Sequence, residues 1–311
     1  MTRADPLAGL TVLERGWLSS NNVLIHAAPG EAGAVLVDTG HVSHAPQTVA
    51  LVHHALGGAR LDRIVNTHLH SDHCGGNAAL QRAFGAPIVL PPGEAEAVRA
   101  WDEDALSYRA TGQRIERYGV DALLEPGSAF VAGGREWQIL AAPGHDPHSV
   151  MLFDPAGGVL LSADALWQQG FGVVFPEVAG EPGFDEVGAV LEQIAALPVQ
   201  IVVPGHGAPF ADVAGALERA RRRLDSFRRE PARHARHAVK VLVKYHVMEE
   251  GSQPLAELVG WALATPLLAT LWQRQPPAGV ATPQAWIEQI VGELVEGGAL
   301  ARHGERIVDG G

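Results

Sequence analysis

Four metal-seeking side chains, His68, His70, Asp72 and His73, fall within the run NTHLHSDHCGG, which comes directly after the apolar segment LDRIV. A short apolar run bounded by polar residues reads as a buried strand. The motif then occupies the loop where that strand ends, on a rigid support from which ligands point outward. A loop of this kind needs partners from elsewhere in the chain. Three are available: His145 in APGHDPH, Asp164 in LSADAL and His206 in VPGHG, each beside a glycine, a proline or a small residue, as tight loops require. Neutral imidazole and carboxylate suit zinc and, with less discrimination, iron, manganese, cobalt or nickel. Most of the 15 histidines, including His26, His53, His54 and His303, are read as packing or surface residues.

Short strands alternate with helices up to about residue 213. TVLERGW, NNVLIHA and AVLVDTG read as an opening strand set, and PQTVALVHHALGG as a helix ending at glycine. LDRIV, PIVL and VQIVV follow as strands, SVMLFD and GVLLSAD as a hairpin, and GEAEAVRAW and FDEVGAVLEQIAAL as helices. Two mixed sheets, each covered by helices, accommodate this order, and composition alone supports an α/β or α+β class. With 311 residues and 47% hydrophobic content, the chain has material for one large and one smaller unit. These are set at 1–213 and 214–311.

The motif set resembles the metallo-β-lactamase-fold hydrolases over roughly residues 10 to 212. The resemblance implies an α+β fold in the form of a four-layer αββα sandwich. It also implies two divalent ions, with zinc the default and iron or manganese as alternatives. His68, His70 and His145 would hold the first, Asp72, His73 and His206 the second, and Asp164 would bridge them. Asp38 in LVDTG matches an early aspartate that supports the metal loop by hydrogen bonding. The implied chemistry is hydrolysis by a hydroxide shared between the ions, the pKa of water falling from about 15.7 towards about 7. Asp72 and Asp164 carry catalytic roles, and His148 is a third catalytic candidate, as leaving-group acid after metal-bound water and Asp146. Where the family has Pro-Gly-His-Thr-Pro-Gly, this chain reads Pro143-Gly144-His145-Asp146-Pro147-His148. Asp146 thus replaces a hydroxyl, and His148 is a candidate donor facing the site or a local cap. Cys74, next to His73, is read as a packing residue.

The implied substrate is a small ester, thioester or lactone. The alternatives are a phosphodiesterase or ribonuclease of the same fold, a mononuclear-iron sulfur dioxygenase, and a non-catalytic ligand-binding protein. Two inserts, residues 101–127 and 167–183, are expected to shape the pocket, with Trp101, Tyr108, Tyr118, Trp167, Phe171 and Phe175 forming an apolar wall or packing the inserts down. The C-terminal third reads as helices with Thr282 as an N-cap before Pro283, closed by a hairpin turning at His303 and Gly304. That pattern resembles the winged-helix appendage of the glyoxalase II-like and β-lactamase-like protein 2-like branch.

Charge marks the boundary between the parts. Lys and Arg against Asp and Glu number 10 to 24 over residues 1–213, 10 to 3 over 214–244, and 3 to 8 thereafter. A body this acidic is a poor general binder of polyanions, so nucleic acid is disfavoured as a partner. Glu293 and Glu296 stand where a nucleic-acid reader would carry arginine. Packing, dimerisation or a pocket lid are the expected roles of the module, and its basic helix is read as a solvated face. The absence of an 18-residue apolar stretch argues against a membrane span. The lack of an apolar leader and the single cysteine fit a cytoplasmic setting.

Overall fold

A computed structural model describes residues 5–311; the first four residues of the expected 1–213 unit lie outside them. The first sheet contains β1 (Leu10–Leu13), β2 (Asn22–Ile25), β3 (Ala34–Val37), β4 (Leu61–Val65), β5 (Ile88–Leu90) and β6 (Ala122–Leu123), in that spatial order. The second contains β7 (Ala129–Ala132), β8 (Arg135–Ala141), β9 (Val150–Asp154), β10 (Val159–Ala163) and β11 (Ile201–Pro204), ordered β11-β10-β9-β8-β7. Both sheets are mixed. Pairing is antiparallel from β1 to β3 and parallel from β3 to β6, while in the second sheet only β10 and β11 pair in parallel.

Strand alternation divides the apolar residues between layers. Val23, Ile25, Val35, Val37 and Val65 meet Trp137, Ile139, Val150, Leu152, Leu161 and Val203 in a core between the sheets. The intervening residues Leu24, Leu36 and Ile64 face outward onto helices α1 (Ala45–Leu56), α2 (Ser71–Cys74), α3 (Asn77–Phe84), α4 (Ala95–Ala100) and α5 (Tyr108–Thr111). On the other side Met151, Phe153, Leu160 and Val202 face outward. Near that face lie α6 (Phe175–Ala179), α7 (Phe184–Ala196) and α8 (Val213–Arg229), of which α7 and α8 bury their apolar residues against it. The result is the four-layer αββα sandwich. The β7–β8 hairpin, turning at Gly133 and Gly134, adds two strands to those read from the sequence.

The C-terminal unit contains α9 (Pro231–Glu250), β12 (Ser252–Pro254), α10 (Leu255–Ala264), α11 (Pro266–Arg274), α12 (Pro283–Glu296), β13 (Leu300–His303) and β14 (Arg306–Asp309). The three strands form a small antiparallel sheet, ordered β12-β14-β13. The Thr282 hydroxyl accepts from the Ala285 N–H at 3.2 Å, which caps α12. Helix α11 and strand β12 are additional to the elements expected there. Val239, Val243, Val247, Leu258, Ile290, Leu300 and Ile307 form a further core, to which the sandwich contributes Val173 and Val178 from the segment after β10.

The buried residues of α8, including Ala216, Leu217, Ala220, Leu224 and Phe227, belong instead to the outer core of the second sheet. We therefore place the division between the two units at residues 230 and 231 rather than at 213 and 214. Among the described residues no single helix is long and apolar enough to cross a membrane. Helices α10 and α11 would be so together, but they meet at 75°.

Candidate metal centre

Strands β8, β10 and β11 share one direction, so their C-terminal ends open on one rim of the second sheet. The loop after β8 carries His145, Asp164 follows β10 directly, and His206 lies two residues beyond β11. From the first sheet, the loop after β4 brings His68, His70, Asp72 and His73 to the same place, with Asp38 immediately after β3. The side chains gather in two groups. His68, His70 and His145 form one, and Asp72, His73, Asp164 and His206 the other, with the potential ligand atoms of each group within 4.8 Å of one another. Asp164 belongs to both by geometry. Its Oδ2 lies 3.3 Å from His145 Nε2, while its Oδ1 lies 3.3 Å from His73 Nε2 and 3.9 Å from His206 Nε2. The Trp167 indole N–H donates to Oδ1 at 3.2 Å and steadies the carboxylate.

Hydrogen bonds to the far ring nitrogens fix how the imidazoles present themselves. His145 Nδ1 donates to the Val173 carbonyl at 2.6 Å, so Nε2 offers a lone pair. His73 Nδ1 donates to Asp38 Oδ2 at 2.7 Å, leaving Nε2 facing the group. The Thr67 hydroxyl donates to Asp38 Oδ2 at 2.8 Å and accepts from His68 Nδ1 at 3.2 Å. His68 Nε2 and His73 Nε2 are then buried with no hydrogen-bond partner among the described residues. Buried polar atoms are rarely left so, and two lone pairs converging beside carboxylates fit a bound cation.

Charge points the same way. Burial, aided by the neighbouring imidazoles, holds His68 well below its usual range and His70 down to about 4, so both are neutral donors. Burial also disfavours charge on His73, but Asp164, Asp38 and Asp72 outweigh it and push its pKa well above the usual value. Asp164 is held well below the carboxylate range by His73, His206 and His145 against the burial penalty, and Asp72 down to about 2 by His73 and His206. A buried cluster of carboxylates thus requires positive charge, supplied by a proton or by a metal.

Asp38 accepts from the Thr67 N–H at 2.9 Å as well as from the Thr67 hydroxyl and His73, and it adopts a left-handed backbone (φ 57°) that Asp and Asn both tolerate. Asp38→Asn therefore removes charge without disturbing the turn. It is expected to weaken metal retention about 10- to 100-fold, read from a chelator competition titration. Unchanged retention would refute the supporting role.

His148 does not face the site. It is exposed, does not line the cavity, and lies against Gly93, where an added Cβ would come within 2.2 Å of its Nδ1. Its backbone N–H donates to Asp146 Oδ1 at 2.7 Å, which makes it part of the local turn. Asp146 Oδ2 lies 3.9 Å from His70 Nε2. Cys74 is buried, its Sγ donates to the Leu69 carbonyl at 3.2 Å, and burial pushes its thiol up to about 12, so it remains a packing thiol.

A cavity of about 510 Å³ opens over the two groups. Of the six aromatics expected around it, Trp167 and Phe175 line it. Trp101, Tyr108 and Tyr118 instead pack into the outer core of the first sheet, where the Tyr108 hydroxyl braces the metal loop through the Leu69 carbonyl at 2.8 Å. Phe171 is buried beneath α8. The opposite wall comes from α8 and α9 through Arg223, Lys240, Lys244, Tyr245 and Met248, with Gln113 contributed by the first insert. Of these, Arg223, Lys240, Lys244 and Tyr245 belong to the basic stretch read as a solvated face.

The family model described as the metallo-beta-lactamase superfamily matches residues 15–206, more than half the chain. The chain belongs to the metallo-beta-lactamase superfamily. The matched span contains all seven side chains of the two groups and ends at the last of them. Hydroxyacylglutathione hydrolase from Methylococcus capsulatus is 29% identical over 196 residues, 62% of this chain and 64% of that protein. The enzyme of the same name from Rhizobium meliloti is 28% identical over 161 residues, 51% of this chain and 54% of that protein. The chain thus spans less than two thirds of the length of these curated relatives.

Among solved structures, a metallo-beta-lactamase family protein from Thermus thermophilus has a TM-score of 0.58 at 23% identity, covering 98% of this chain and 100% of that one. The likeness in fold therefore extends through the C-terminal unit. TTHA1623, solved in a di-iron-bound form, has a TM-score of 0.53 at 28% identity, covering 68% of this chain and 98% of that one.

Proposed function

We propose that this superfamily member is a binuclear metal-dependent hydrolase of small esters, thioesters or lactones. In this reading His68, His70 and His145 hold one ion, Asp72, His73 and His206 the other, and Asp164 both. The observation that carries the proposal is Asp164, whose two carboxylate oxygens each face a different histidine group. Divalent ions bound there supply Lewis acidity and lower the pKa of water. The all-imidazole-and-carboxylate donor set favours zinc, with iron or manganese as alternatives.

The chain's own residues do the rest. Asp72, held down to about 2, is a poor proton acceptor, so its role is to orient a water through an ionised oxygen. Asp38 and Val173 fix His73 and His145 in the tautomers that face the site. The Tyr245 hydroxyl, kept protonated by burial and held by Ser71 Oγ at 2.8 Å, gives the cavity a neutral donor. With Trp17, Trp167 and Phe175 it excludes bulk water from one side of the bound substrate. The cavity volume falls within the range of small-molecule sites, and relatives whose name denotes hydrolysis of an acyl-glutathione support the acyl class.

The test is elemental analysis of the purified protein combined with thioester, lactone, ester, phosphodiester and RNA substrates. About two equivalents of metal with turnover confined to an acyl class is the expected result. Cleavage of RNA alone, or a single iron with oxygen uptake on a persulfide, would overturn it.

A further inference from the structure

Helix α8 carries six arginines, of which four pair with carboxylates; of the other two, Arg229 is exposed on the surface and Arg223 lines the cavity. Arg219 pairs with Asp212, Arg221 with Glu192, Arg222 with Glu218 and Arg228 with Asp185. Among the described residues no carboxylate pairs with Arg223. Its guanidinium lies 5.5 Å from the Phe171 ring centroid and 5.4 Å from that of Phe227, and it donates to His237 Nε2 at 2.5 Å. His237 brings no countercharge. Burial, with Arg223 close by, holds it down to about 3, so it is a neutral acceptor. The chain makes room for the side chain at Gly170, where a Cβ would come within 2.8 Å of Arg223 Nη1. Nearby on the same wall, Lys240 shares the single carboxylate of Glu293 with Arg236, which leaves a second excess of positive charge.

A guanidinium set between aromatic rings without a counterion is costly unless a ligand completes it. Its planar fork, with donors left over after the bond to His237, suits an oxyanion. We propose that Arg223, with Lys240 beside it, is the seat for an anionic group of the substrate, a carboxylate or a phosphate-type oxyanion carried on the same molecule as the acyl bond. This rests on the hydrolase reading only for the identity of the rest of that molecule. It makes the preferred substrate an anionic acyl compound rather than a neutral ester or lactone.

The test compares acids matched in shape that differ in tail charge: succinate, glutarate and adipate, their phosphonate-tailed counterparts, and monoacids of equal length ending in an isopropyl group. Binding to the metal-loaded full chain is measured by calorimetry, and the corresponding N-acetylcysteamine thioesters are assayed for hydrolysis. An anionic tail is expected to bind about ten-fold or more tighter than its isopropyl match at the best chain length, the strength of a hydrogen bond to a charged group. The more favoured of carboxylate and phosphonate identifies the natural group. Arg223→Gln should abolish the preference, and Arg223→Lys, which keeps charge but loses the fork, should retain part of it with an unchanged melting temperature. No preference in the wild type at any length, or a preference that survives Arg223→Gln, would overturn the proposal. Thioesters left intact despite selective binding would remove the hydrolase reading and leave the anion seat standing.

Discussion

Replacing Asp164 by alanine is expected to leave the purified protein with one bound divalent ion in place of two and to reduce turnover roughly a thousand-fold. The expectation follows from where its oxygens lie. Each histidine group has a carboxylate oxygen of Asp164 at 3.3 Å, so one truncation removes a partner from both. In the second group His73, His206 and Asp72 remain, with less negative charge to hold a cation. In the first group three imidazoles remain, a set that still holds zinc. Metal content measured beside kcat separates this from simple unfolding, since Asp164→Asn keeps the shape and should retain more metal than the alanine variant. Full metal content with near-wild-type turnover in Asp164→Ala would refute the shared role.

Gly205→Ala is expected to have nearly as large an effect without touching any ligand. A Cβ at this position would lie 2.2 Å from Asp164 Oδ1, 3.0 Å from His73 Cε1 and 3.1 Å from the Ala163 carbonyl carbon. The backbone cannot retreat. The Gly205 N–H donates to the Ala163 carbonyl at 2.7 Å, and its carbonyl accepts from the Asn21 N–H, also at 2.7 Å. The methyl group must therefore displace Asp164. Loss of one metal is expected, together with a destabilisation of about 1–3 kcal/mol for overpacking, read as a lowered thermal midpoint. Two metals retained at an unchanged midpoint would show that the close approach is not what requires glycine here.

These residues could be found from sequence because the ligands fall in the short segments that follow β4, β8, β10 and β11, mostly beside glycine, proline or a small residue, and those constraints are local. The strand runs around them were equally plain, since Leu24, Leu36 and Ile64 alternate with Val23, Ile25, Val35, Val37 and Val65 between two buried faces. The β7–β8 hairpin is harder to read although Gly133 and Gly134 mark its turn, because only one face of each strand is buried and Arg135, Glu136 and Gln138 interrupt the apolar pattern. His148 reads as a candidate site residue because it stands where the family motif after His145 has glycine. A two-residue offset from Asp146 in a turn reverses direction, however, and its ring finds Gly93 instead. Trp101, Tyr108 and Tyr118 lie in the sequence between two metal motifs, but proximity in sequence did not reveal that they fold back beneath the loop. The cavity wall from α8 and α9 was least accessible. Arg223, Lys240 and Tyr245 belong to a basic amphipathic stretch whose two faces are distinguished only by what packs against them.

The cavity has one wall on the sandwich rim and the other on α8 and α9, and this gives substrate affinity a component that the metal residues do not control. Helix α9 must be seated on the sandwich for Lys240 and Tyr245 to stand opposite Asp72 and Asp164. Apparent affinity scales with the fraction of molecules in which that seating is complete. Loosening the C-terminal core at Leu258 or Ile290 would lower this fraction through local opening, and because Val173 and Val178 belong to the same core it would also reach the His145 loop through the Val173 carbonyl. Selectivity in this chain is therefore partly a folding equilibrium. It can drift by mutation far from the bond being cleaved.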